Sequence, residues 1–187
     1  MQSTEGDGDD RALVERFLGG DAQAFEVLMD RHYDRITRLA WRIVGDRVAA
    51  AEIAQETFVR AYRALPRFRG AAAFGSWLYR IAVNLCFTHL RRRPGVHLPL
   101  DAVALESADA DPASRFEAQR RRATVRAAVD ALPAHYRIVI VLSSVEGLAY
   151  DEIARVLDIP LGTVKSRIST AKQVLRETLR SLHHEGA

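Results

Sequence analysis

Between Tyr150 and Leu175 the chain reads YDEIARVLDIPLGTVKSRISTAKQVL, and Thr163, Lys165, Ser166, Arg167 and Lys172 share one face with Ser169, Thr170 and Gln173. Hydroxyl, amide, ammonium and guanidinium groups are donors suited to phosphate oxygens and base edges. The chemistry they could do is recognition of a DNA duplex. Behind them Val164, Ile168, Ala171 and Leu175 recur at helical spacing, and Tyr150, Ile153, Ala154 and Leu157 do the same upstream. Asp158 and Ile159 separate the two stripes. Pro160 cannot donate a backbone hydrogen bond, so it disrupts a continuing helix but is tolerated in the first turn of a new one. The spacing predicts a helix-turn-helix whose second helix enters the major groove. Its turn favours a left-handed residue, a conformation that aspartate at position 158 tolerates. A solvated helical hairpin would show the same apolar stripes, but its outer face would carry more glutamates.

Other chemistries find little support. The sequence has no phosphate-cradling glycine loop, no zinc-binding histidine pair on one helix face and no carboxylate cluster suited to two metals. Nothing in it calls for a cofactor. The single cysteine, Cys86, excludes an internal disulfide and sits among Val83, Leu85 and Phe87 as a core residue would. No apolar run is long enough to span a membrane and the N-terminus is unlike a secretory signal, so a cytoplasmic protein is expected.

Helices must carry these faces, and the 187 residues, 48% of them hydrophobic, are enough for one or two packed cores. The net charge of +3 is unevenly spread: residues 1–10 sum to −4, 11–93 to +7, 94–114 to −4 and 115–187 to +4. The two acidic stretches read as mobile segments and the two basic ones as polyanion-binding units. From Asp21, a candidate N-cap, an apolar stripe runs through Phe25, Leu28, Tyr33, Ile36, Leu39 and Ile43 to Gly45. A second runs from Ala50 through Ile53, Phe58 and Tyr62 to Leu65, stopped by Pro66. A third helix, about Ala73 to Arg92, is apolar around most of its circumference. Residues 94–114 hold three prolines and no periodic face, which predicts a flexible acidic linker. Val125, Val129 and Leu132 then mark another helix, and Tyr136, Val139, Ile140 and Leu142 the next. No useful length shows the alternation of a strand. The expected class is therefore all-α: two small helical domains joined by a flexible linker, the second a helix-turn-helix domain. The boundaries are 1–20 for an acidic tail and the start of the first helix, 21–93, 94–114 for the linker, and 115–187.

The stretches AEIAQETFVRAYR (Ala51 to Arg63), FRGAAAFGSWLYRIAVN (Phe68 to Asn84) and GTVKSR (Gly162 to Arg167) together resemble the extracytoplasmic-function (ECF) sigma factors of the sigma-70 family. The resemblance implies a subunit, without catalysis of its own, that binds core RNA polymerase, recognises the -10 and -35 elements of promoter DNA, and promotes melting and initiation. It implies polymerase contacts at Glu52, Gln55, Glu56 and Phe58. It assigns the -10 element to Phe68, Phe74, Trp77, Arg80, Asn84, Arg91 and Arg92, and the -35 element to Thr163, Lys165, Ser166, Arg167 and Lys172. Aromatic and amide side chains suit the -10 task because capturing an unstacked base takes stacking and edge hydrogen bonds. An anti-sigma factor is a further implied partner. The acids Asp101, Glu106, Asp109 and Asp111 of the linker would mimic nucleic acid in a positively charged channel of the polymerase. The alternative is a stand-alone helix-turn-helix regulator, which should carry a receiver or ligand domain where this chain has an all-α half.

Overall fold

The computed structural model describes residues 4–70, 73–92 and 112–184, and among them it has helices and turns but no strand. The helices are α1 (Thr4–Leu18), α2 (Gln23–Val44), α3 (Arg47–Ala64), α4 (Phe74–Arg92), α5 (Pro112–Asp130), α6 (Ala134–Ile140), α7 (Tyr150–Leu157) and α8 (Leu161–His184).

Local chemistry sets most boundaries. Asp21 accepts from the Gln23 N–H at 3.1 Å and opens α2. Gly45 closes it in the left-handed region at φ 82°. Asp46 then caps α3 by accepting from the N–H groups of Val48 and Ala49 at 2.8 and 3.2 Å. Pro66 ends α3 in a single 3-10 turn, Leu65–Arg67. After α6 the chain widens into a π-type turn, Val141–Val145, which leads through Gly147 into α7.

The acidic N-terminus departs from the expected tail. It forms α1, which packs on α2 and buries Leu13 and Val14. A count of charges conceals this because one of the acids, Asp10, is itself buried against basic partners on α2. The predicted linker lies outside the described residues as far as residue 111. Pro112 already opens α5, a first-turn position that proline favours.

The α2·α3 hairpin, α4 and α1 surround Leu28, Ile36, Leu39, Ile53, Leu65 and Leu78, all buried. That core continues without interruption into Ile138, Val139, Leu142, Ile153 and Ile168 of the second half. The two helical groups are therefore docked: α4 lies against α6 and α7. Polar bonds stitch the seam. Glu146, only 7% exposed at its side chain, accepts from Arg42 Nη1 at 2.5 Å and from the Tyr79 hydroxyl at 3.0 Å. Arg126 and Arg137 donate to the backbone carbonyls of Trp41 and Ile43 at 3.0 and 3.1 Å, capping the C-terminal end of α2.

Candidate nucleic-acid interface

Two polar surfaces stand out, one on α8 and one on α4. On the α7–α8 pair, Ile153, Val156, Val164, Ile168 and Ala171 are buried, which fixes the opposite face outward. Glu152 accepts from the Ala149 N–H at 2.8 Å and steadies the start of α7. Asp158 takes φ 54°, the left-handed turn that its position required, and Pro160 starts the new helix by accepting from the N–H groups of Thr163 and Val164. Lys165, Ser166 and Lys172 are exposed, together with Ser169, Thr170 and Gln173, while Thr163 and Arg167 are half-buried at the helix base. Burial, and then the nearby Arg167 guanidinium, hold His135 below its ordinary pKa, so Arg167 sits at the α6–α8 seam as well as beside the polar face.

On α4, Arg80, Asn84, Phe87, Thr88 and Arg91 are exposed, and their spacing of four, three, one and three residues keeps them on one side of the helix. Thr88 donates its hydroxyl to the Asn84 backbone carbonyl at 2.9 Å, and Asn84 itself is exposed. Thr88, Arg91 and Arg92 line a shallow groove at the helix end. Phe87 and Thr88, three and four residues after Asn84, share its side of the helix by their sequence positions alone. At the start of α4, Phe68, Phe74 and Trp77 form one aromatic cluster with centroid separations of 4.9 to 6.4 Å. Phe68 and Trp77 are half-exposed and can offer a face. Phe74, at 3% exposure, cannot: its ring supports the other two, and the direct DNA contact expected of it is not available in this conformation. Cys86 is fully buried, and burial pushes its thiol up to about 12, as befits a core residue.

The expected polymerase-binding set divides similarly. Glu52 and Gln55 are exposed on α3, and Glu56 is half-buried and paired with Arg60 at 2.7 Å. Phe58 is buried at 4% exposure against Tyr33, 5.9 Å away, so it holds α3 on α2 and presents no contact of its own. Periodicity placed Phe58 in the apolar stripe, and that placement decides its environment.

A helix-turn-helix with a basic outer face, joined to a helical unit with an aromatic cluster and a polar, basic helix side, defines a promoter-binding class of protein. Comparison with known proteins agrees. Residues 28–94 match the family described as Sigma-70 region 2, and residues 122–175 match Sigma-70, region 4. The chain is 40% identical to the RNA polymerase sigma-H factor of Pseudomonas aeruginosa, with 94% of this chain and 96% of that protein covered. It is 37% identical to the ECF RNA polymerase sigma-E factor of Escherichia coli K12, covering 92% and 95%. Among solved structures it is similar to CnrH in complex with the cytosolic domain of CnrY, at 28% identity, TM-score 0.68 and coverage of 92% and 98%. The sigma factor RpoE in complex with the anti-sigma factor NepR from Bartonella quintana shares the fold, at 21% identity, TM-score 0.65 and coverage of 85% and 98%. The chain belongs to the sigma-70 family, as an ECF sigma factor of transcription initiation.

Proposed function

We propose that the α3 face with Glu52, Gln55 and Glu56 docks on core RNA polymerase, and that α4 with Phe68 and Trp77 engages the -10 element. On this reading Arg80, Asn84, Arg91 and Arg92 follow the opened strand, while Thr163, Lys165, Ser166, Arg167 and Lys172 read the -35 element. The observation that carries this reading is the pair of exposed polar faces, on α4 and α8, each backed by buried apolar side chains. The functional units are residues 21–93 and 115–187, α1 adding to the first. The protein works in the cytoplasm, where its polymerase is, and does no covalent chemistry. Among the described residues no helix is long and apolar enough to cross a membrane, and no group of histidine, cysteine and carboxylate residues could hold a metal.

The docked arrangement is a closed form. The -10 and -35 elements are about 25 base pairs apart by their numbering, or ~85 Å at ~3.4 Å per base pair. Here α4 touches α7, and Arg80 lies 3.9 Å from Asp158 in the helix-turn-helix turn. Both elements can be read at once only after the two units separate. An anti-sigma factor that holds the units together is the partner this suggests, in keeping with CnrH having been solved in complex with the cytosolic domain of CnrY.

The test is transcription in vitro with purified core RNA polymerase on genomic fragments, with and without this protein. New start sites sharing an upstream motif support the reading. Binding to DNA without polymerase, and no new starts, would favour a stand-alone regulator.

A further inference from the structure

Helix α1 lies before the residues matched to region 2, yet one of its side chains reaches the base-capturing cluster through a single intermediary. Asp10 is 3% exposed, and a carboxylate so enclosed is costly unless its oxygens are bonded. Both are. Oδ1 accepts from Arg31 Nη1 at 2.6 Å and Oδ2 accepts from His32 Nε2 at 2.7 Å. Arg31 also extends to Asp9 at 3.3 Å, while His32 is bonded to the other Asp10 oxygen.

The His32 ring also meets the start of α4. Its centroid is 5.4 Å from that of Phe74, and its Cε1 lies where a side chain on Gly75 would come within 3.6 Å. Phe74 in turn touches Trp77 at 5.7 Å and Phe68 at 6.4 Å. An unbroken line thus runs from the α1 carboxylate through an α2 imidazole to a buried ring, and then to the two half-exposed aromatics. Imidazole rotates easily about its outer torsion unless a bond holds it. Fixing that torsion fixes the surface on which Phe74 rests.

We propose that Asp10 is a positioning residue for base capture: by holding His32 it sets Phe74, and through Phe74 the arrangement of Phe68 and Trp77 that receives an unstacked base. This rests on the reading of Phe68 and Trp77 given above. A supporting shell of this kind governs recognition without touching the ligand.

The test uses the full chain assembled with core polymerase and a promoter mapped as above. Three affinities are measured for wild type, Asp10→Asn, His32→Ala and the double variant: for core polymerase, for a duplex carrying the -35 segment, and for a single strand carrying the -10 segment. The expected result is a loss of about tenfold on the single strand for each single variant, no further loss in the double, and the other two affinities within about twofold of wild type. Wild-type strand binding by Asp10→Asn would overturn the proposal, as would a parallel loss of all three affinities, which marks mere destabilisation. Failure of the wild type itself to bind the strand would instead sink the reading of Phe68 and Trp77.

Discussion

Arg167 shows how much one side chain can do at the residue scale. It is half-buried against α6, close enough to His135 to oppose that ring's protonation, and it borders the polar face of α8. Replacement by alanine is expected to weaken binding to a -35 duplex by about 1–3 kcal/mol, the worth of a good bidentate base contact, and to relax sequence preference there. Lys172→Ala should act differently: weaker binding on every sequence, with the slope of log affinity against log salt reduced by about 1. Measuring both variants over a salt series separates base reading from phosphate contact; identical behaviour would contradict these assignments. His135 supplies a pH dependence. Its folded pKa lies below the ordinary 6.5, so between those two values the unfolded chain binds a proton that the native protein does not. Stability therefore rises with pH through that window and is lost on acidification below about 6.5. Thermal melts of His135→Asn across pH 5 to 7.5 are expected to show a shallower slope than wild type.

Elements here are bounded by short chemical signals, and most were legible in the sequence. Gly45, Asp46, Pro66, Asp158 and Pro160 each mark a boundary because the constraint lies within the residue or its nearest neighbours. Asp158 is the most exacting. Its φ of 54° strains any side chain, and a β-branched one most. Asp158→Val is expected to cost about 1–2 kcal/mol in urea unfolding. Asp158→Gly should be neutral or slightly stabilising, since only an exposed 3.9 Å pairing with Arg80 is lost. If valine proves harmless, the turn does not depend on the left-handed residue. Where prediction of elements fell short, the cause was a partner distant in sequence. The acids before Arg11 look solvated until Arg31 and His32 are brought to Asp10. Val125 of the predicted Val125, Val129 and Leu132 stripe is exposed, whereas Ala128 of α5 and Leu132, just past its end, are buried.

For the whole molecule the decisive feature is the seam around Glu146. Its two oxygens bind Arg42 of α2 and Tyr79 of α4, and the Tyr79 hydroxyl is held far above its ordinary pKa by burial and by the Glu146 charge. Glu146→Ala removes charge-assisted bonds worth about 1.5–3 kcal/mol and is expected to loosen the docking of the two units. The radius of gyration from X-ray scattering should then rise, and less protein should be needed for half-maximal transcription with limiting core polymerase. An unchanged radius would show that the apolar part of the seam holds the closed form unaided.

The sequence by itself determined the all-α class, the helix-turn-helix and the outward placement of Lys165, Ser166 and Lys172, because helical periodicity and turn chemistry act over a few residues. It also carried three family motifs in order. Only the tertiary structure decided that Phe74 faces inward, that Asp10 bonds His32 beside Phe74, and that α4 closes on α7. Burial, and the pairing of charges such as Glu146 with Arg42, depend on which helices meet, and contacts between residues so far apart leave no periodic trace in the chain.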